Sequence, residues 1–135
     1  MKINQAVIFC GGYGKRLLPH TRKIPKPMLL VNNMPFLEQL IIDIKKKYNI
    51  NNFLLLVGYK HKIIEEYFKK KNIKISFSYD SAKTETGKRL WNAKKKLENF
   101  FMLFYSDNLL SFNYKYSLNN FIEKKKTLNL VLKKK

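Results

Sequence analysis

Cysteine is almost missing from this chain. Cys10 is the single one, which excludes an internal disulfide framework and a multi-cysteine metal knot and fits a reducing, cytoplasmic compartment. Acidic residues are scarce, with nine Asp and Glu against 28 Lys and Arg. Arginine is scarcer still: only Arg16, Arg22 and Arg89 occur. Long apolar runs are lacking as well. Residues 53–57 and 100–105 fall far short of the roughly 20 residues that span a bilayer, and residues 6–10 are too short a stretch for a secretory signal. Nothing in the sequence calls for a membrane.

What the chain does have is apolar mass. Of its 135 residues 45% are hydrophobic and 14% aromatic, far above a disordered composition, so one domain spanning residues 1–135 is expected around a single core. The formal net charge of +19 admits two readings. It suits long-range attraction to nucleic acid or an anionic surface. It also follows from base composition, because Lys, Asn, Ile, Phe and Tyr, the residues of AT-rich codons, are all plentiful. The second reading is preferred.

Residues 5–10 form a continuous apolar run ending at a glycine pair, which predicts a buried strand running into a loop. Pro35 suits a first helical residue, and Phe36, Leu37, Leu40, Ile41, Ile44 and Tyr48 then recur at helical spacing. A second buried strand is expected over 53–57, a helix over 61–71 and a half-buried strand over 73–79. Thr86 is the expected N-cap of a helix whose stripe is Leu90, Ala93 and Leu97, followed by a strand from Phe100. A last helix over about 116–125 and a short strand over 128–132 complete the series. Strands alternating with helices predict an α/β fold, a Rossmann-like, mostly parallel sheet with helices on both faces. Lys triplets begin at Lys45, Lys69, Lys94, Lys124 and Lys133, and the first four close predicted helices. In such a sheet the helix ends face away from the carboxyl edge where ligands bind, so the triplets should not line the site.

Gly11, Gly12 and Gly14 follow the first strand directly, where missing Cβ atoms let the backbone turn and approach a phosphate or base. They are not a dinucleotide fingerprint, because Leu17 occupies the third glycine's place and no acid follows the second strand. The Walker A spacing fails too. The specificity lies in the continuation RLLPHTRKIPKPM: Arg16 can fork onto phosphate oxygens, and Pro25 and Pro27 restrict the backbone on both sides of Lys26. Asp107 follows the fourth strand, which neighbours the first in a 3-2-1-4 order. It therefore converges with the glycine loop at the crevice where such sheets bind ligands.

The pattern GGxGxRLxPxTxxxPKPM, read here as GGYGKRLLPHTRKIPKPM over residues 11–28, resembles the signature of the sugar-1-phosphate nucleotidylyltransferases. VNNMPFLEQLI is similar to that family's turn and first helix, VGYKHKIIEEYF to its second strand and helix, and ETGKRLWNAKKKL to its base-side loop and helix. Essentially the whole chain takes part. The resemblance implies a nucleotide-diphospho-sugar transferase fold, transfer of a nucleotidyl group from a nucleoside triphosphate to a sugar 1-phosphate, and release of pyrophosphate. It implies that Gly11, Gly12, Gly14, Thr86 and Gly87 bind the nucleotide, that Arg16 and Lys26 act on the phosphates, and that Asp107 coordinates Mg²⁺. Mg²⁺ takes one or two carboxylates plus substrate phosphates, so such a site needs no protein nucleophile. His20 and His61 receive no catalytic role. The implied setting is nucleotide-sugar synthesis for surface polysaccharide, lipopolysaccharide or capsule.

The match has gaps. Lys15 stands where the family usually has Thr, Lys88 where it often has a second glycine, and Ser106 where Gly commonly precedes the metal-binding Asp. Family members continue through a second half that binds the sugar phosphate and supplies a second metal carboxylate, so this chain is expected to be the C-terminally truncated, nucleotide-binding part. An active transferase, completed by a second copy or a complementing subunit, is the leading expectation. A nucleotide-binding homologue without turnover is the first alternative and a basic nucleic-acid-binding domain the second. Nucleic acid is not the expected partner, because no aromatic stacking motif is interleaved with Arg. GTP is favoured over CTP, dTTP or UTP, because VGYKHKIIEEYF looks most like guanylyltransferases acting on mannose- or heptose-type 1-phosphates, although TGKRLWNA also resembles cytidylyltransferases and thymidylyltransferases.

Overall fold

A computed structural model describes residues 2–108, 112–125 and 127–130. Strand β1 (Gln5–Cys10) is buried at all six positions, as its unbroken apolar run requires. It lies between β4 (Asn52–Val57) and β6 (Phe101–Tyr105), and β5 (Lys74–Tyr79) pairs with β4 on the far side. All three pairings are parallel, with Cys10 opposite Val57 and Phe9 opposite Tyr105. The order β5-β4-β1-β6 is the expected 3-2-1-4, and it brings the ends of β1 and β6 side by side.

Alternation along the strands divides the core between the two faces of the sheet. Ala6, Ile8 and Cys10 join Phe53, Leu55 and Val57 against α1 (Phe36–Tyr48) and α2 (His61–Lys69). Tyr114 and Leu118 of α4 (Tyr114–Glu123) pack against the same cluster. Val7, Phe9, Leu54 and Leu56 face the other way, onto Leu90 of α3 (Thr86–Asn92) and the adjoining Ala93 and Leu97. The α/β class with helices on both faces is therefore as expected. At the amino edge Gln5 is buried, and its amide donates to the Lys96 carbonyl at 2.8 Å and accepts from Glu98 N at 2.9 Å. This satisfies a polar side chain where water is excluded.

Several local expectations are corrected. Pro35 is an extended N-cap (φ −55°, ψ 134°), not the first helical residue. It closes a hairpin, β2 (Leu30–Val31) with β3 (Met34–Pro35), whose two-residue turn holds Asn32 and Asn33 at φ 51° and 62°, a conformation Asn tolerates. Glu85, not Thr86, is the N-cap of α3, and Thr86 is its first helical residue. The last helix begins at Tyr114 because the Asn113 side chain caps the Tyr116 amide at 3.0 Å. Residues 128–130 are not in a strand, and residues 131–132 of the strand expected there lie outside the described residues. Lys45, Lys46 and Lys47 do occupy the last turn of α1, complementing its dipole. Lys94–Lys96 instead form a separate 3-10 turn.

Candidate active site

The chain leaves β1 at Cys10 and enters the glycine loop at the carboxyl edge of the sheet. Gly14 sits in the left-handed region at φ 63°, and a Cβ there would lie 3.0 Å from both Lys26 Cβ and Thr21 Cγ2. Glycine is needed on both counts. The Thr21 hydroxyl, on a buried residue, donates to the Gly14 carbonyl at 3.0 Å, and the Tyr59 hydroxyl donates to the Thr21 carbonyl at 3.0 Å. Tyr59 also packs on Tyr13 with ring centroids 5.2 Å apart. Both limbs of the loop are thus tied to the end of β4. Thr21→Val, which keeps shape and removes the donor, should destabilise the protein by about 1 kcal/mol, read as a lower urea midpoint at unchanged slope.

Pro25, Pro27 and Met28 are buried, with Pro25 extended at φ −64° and ψ 145°. The Met28 amide donates to the Pro25 carbonyl at 2.8 Å. Lys26 is the residue this anchored turn turns outward. Its Nζ meets Asp107 Oδ2 at 2.7 Å, across 81 residues of sequence. The two side chains remain 35% and 42% exposed, so the pair itself adds little stability; its significance is position. Gly14, Lys15, Arg16, Leu17 and Lys26 line a cavity of about 270 Å³ open to solvent. Arg16 is exposed and, among the described residues, has no hydrogen-bond or ion-pair partner. Arg16 and Lys26 therefore line a concavity suited to phosphate, and Asp107 adjoins it through its contact with Lys26. Among the described residues no three His, Cys, Asp or Glu side chains form a metal cluster. Asp107 alone suits a hard cation whose remaining ligands are substrate oxygens and water.

Of the other residues that the resemblance assigns to nucleotide binding, none is in the lining of this cavity except Gly14. Thr86 and Gly87 open α3 and are exposed, and a Cβ at Gly87 or at Gly12 would meet nothing within 4 Å. Gly11 is the opposite: a Cβ there would fall 2.0 Å from Arg89 Nη1. Arg89, only 2% exposed, received no role in the sequence reading. It donates from Nη1 to the Val57 carbonyl at 2.9 Å and from Nη2 to the carbonyls of Ser81 at 2.9 Å and Thr84 at 3.0 Å. Burial pulls its pKa below the ordinary arginine value, with the Asp80 carboxylate acting in the other direction. Burial likewise pushes the Cys10 thiol up, so this cysteine is an inert core group. Of the three positions that depart from the family pattern, Lys15 folds over the Tyr13 ring at 5.6 Å, Lys88 is exposed on α3, and Ser106 lies beside Cys10.

The family model described as Nucleotidyl transferase matches residues 5–135. The chain belongs to the nucleotidyl transferase family. It is similar to the D-glycero-alpha-D-manno-heptose 1-phosphate guanylyltransferase of Campylobacter jejuni, 41% identical over 97 residues, covering 70% of this chain and 43% of that protein. The protein of the same name in Aneurinibacillus thermoaerophilus is 33% identical over 132 residues, covering 96% and 57%. Among solved structures, HddC from Yersinia pseudotuberculosis complexed with GMP-PN superposes with a TM-score of 0.78 at 27% identity, covering 90% of this chain and 55% of that one. The chain spans between 24% and 57% of the length of the curated relatives it matches. Nucleotidyl transferase family membership accounts for the sequence signature and for the sheet order together. No helix among the described residues is long and apolar enough to cross a membrane.

Proposed function

We propose that the chain binds a nucleoside triphosphate at the carboxyl edge of β1 and serves a sugar-1-phosphate nucleotidylyltransferase reaction. A sugar-phosphate oxygen attacks the α-phosphorus, the bond to the bridging oxygen breaks, and pyrophosphate leaves with that electron pair. In this reading Gly11, Gly12, Thr86 and Gly87 bracket the base and ribose. Arg16 grips the triphosphate, and Lys26 exchanges its partner Asp107 for the phosphate being transferred. Asp107 would hold Mg²⁺, which supplies charge neutralisation on the phosphates. Positioning and fixed charge carry the catalysis. The observation that supports the reading most is the Lys26–Asp107 contact at 2.7 Å beside the cavity lined by Arg16. It joins the glycine signature and the end of β6 in one crevice.

GTP is the proposed nucleotide, supported by the guanylyltransferase names of the two heptose relatives and by the GMP-PN complex of the HddC structure. A mannose- or heptose-type 1-phosphate is the proposed acceptor, and the product would serve surface-polysaccharide assembly in the cytoplasm. The second reading is a nucleotide-binding homologue without turnover. Pyrophosphate release from GTP with Mg²⁺ and a panel of sugar 1-phosphates separates the two. Release that disappears in Arg16→Ala supports the transferase. GTP binding without release for any sugar supports the second reading.

A further inference from the structure

Arg89 is the least expected group in the molecule. The chain chooses Lys for nearly every cation, yet a guanidinium is buried where the carboxyl ends of β1 and β4 meet the loop leading into α3. Its surroundings provide no hydrogen-bonded or ion-paired carboxylate among the described residues. Asp80 is the nearby acid; one oxygen accepts from Asn92 Nδ2 at 2.6 Å and the other is buried without a partner. Burying a cation against carbonyls alone is costly compared with an apolar filler of the same volume. Leu or Met would fill the volume but give the Val57, Ser81 and Thr84 carbonyls no donor, so the guanidinium serves these particular carbonyls rather than packing alone.

The carbonyls it holds belong to separate segments. Val57 ends β4, while Ser81 and Thr84 lie in the loop that delivers Thr86 and Gly87. The guanidinium also occupies the position a Gly11 Cβ would take, with Cζ 2.3 Å from that point. Gly58 continues the same packing, since a Cβ there would lie 2.7 Å from the Gly11 carbonyl and 2.9 Å from Arg89 Nη1. The Gly11 carbonyl in turn accepts from Tyr59 N at 3.0 Å. One side chain therefore sets how closely the Gly11 backbone, the end of β4 and the Ser81–Thr84 loop approach one another. Lysine, with a single ammonium, cannot span these directions as a planar fork does.

We infer that Arg89 is a positioning residue for nucleoside recognition: it fixes the separation of the Gly11–Gly12 wall and the loop carrying Thr86 and Gly87, and leaves triphosphate recognition to Arg16 and Lys26. The inference rests on the nucleotide-binding reading above and deepens it. The predicted signature is a split between ligands. Inorganic tripolyphosphate reports the phosphate subsite alone, whereas GTP reports both subsites.

Calorimetric titration of each ligand with Mg²⁺ into the parent chain, Arg89→Lys and Arg89→Met tests this, with thermal unfolding to confirm folding. The expected result is tripolyphosphate affinity within about twofold of the parent and GTP affinity lowered by about tenfold or more, the scale of losing a charge-assisted hydrogen-bond set. Arg89→Ala should recover GTP affinity, and not tripolyphosphate affinity, on adding millimolar guanidinium ion. If Arg89→Met fails to fold, Arg89→Lys carries the same comparison; failure of both to fold makes Arg89 a residue of the core and overturns the inference. Equal loss of both ligands, or loss of neither, in folded variants also overturns it. A parent chain that binds tripolyphosphate but no nucleotide overturns the nucleotide reading itself, and this inference with it.

Discussion

Lys26→Ala should lower pyrophosphate release by about 10²–10³-fold, the range seen when one preorganised donor to a developing phosphate charge is removed. The fold should hardly notice. The backbone around Lys26 is set by buried Pro25, Pro27 and Met28 and by main-chain bonds from Met28 to Pro25 at 2.8 Å and from Leu29 to Lys26 at 3.2 Å. None of these depends on the lysine side chain. The Asp107 ion pair that disappears is exposed and worth less than about 1 kcal/mol. A pre-steady-state measurement with GTP and sugar 1-phosphate should therefore show slow transfer at a nearly unchanged melting temperature. Parent-like turnover in the variant would remove Lys26 from the chemistry. Where turnover depends on a further polypeptide, that polypeptide is included in both reactions.

Gly11→Ala is the second large effect, and it acts through Arg89. The added methyl would lie 2.0 Å from Nη1 and 2.3 Å from Cζ, distances no packed pair adopts. A free arginine would swing aside. This one is held by three carbonyls, so the guanidinium must abandon them or the loop must rise from the sheet. Overpacking of this kind costs about 1–3 kcal/mol, and because the displaced wall is the proposed nucleoside site, GTP affinity should fall at least tenfold, on the scale of about 1.4 kcal/mol per tenfold change. Gly12→Ala is the informative contrast. Its methyl enters open space, so stability should be unchanged while GTP binding weakens by steric contact with the ligand. Urea unfolding and nucleotide titration of the two variants read these outcomes. A Gly12→Ala chain with full GTP affinity would place the nucleotide elsewhere.

The sheet was legible because β1, β4 and β6 hold continuous apolar runs and β5 alternates, and a glycine or an acid lies within two residues of the carboxyl end of each. Asp107 could be paired with the glycine loop from topology alone, and the 2.7 Å contact to Lys26 gives that pairing atomic form. Arg89 was not legible for a physical reason: its role depends on three carbonyls, and carbonyls leave no mark in sequence. One weak signal existed. In a chain that uses Lys almost throughout, an Arg is a cue to a site where a planar fork matters; of the three, Arg16 lines the cavity and Arg89 holds three carbonyls, while Arg22 is exposed. Pro35 misled because a proline suits an extended N-cap as well as a first helical residue, and the Asn32–Asn33 turn selects the former. Thr86 misled similarly, since a capping residue type next to Glu85 does not reveal which of the two leaves the helix.

The basic surface bears on the same question. Lys94–Lys96 is exposed near the amino edge of the sheet, where Lys96 O meets Gln5 at the start of β1, and Lys45–Lys47 is exposed in the last turn of α1, whereas Lys71 pairs with Glu38 of that helix's first turn at 2.7 Å. The proposed nucleotide site is at the carboxyl edge. A polyanion drawn only by the +19 charge has no reason to prefer the second edge over the first. Mapping amide chemical shifts of the isotope-labelled chain during titration with Mg-GTP distinguishes them directly. Saturable shifts concentrated at Gly11, Gly12, Gly14, Arg16, Lys26, Gly87 and Asp107 are expected. Shifts confined to the lysine runs, without saturation at the glycine loop, would contradict the proposed site.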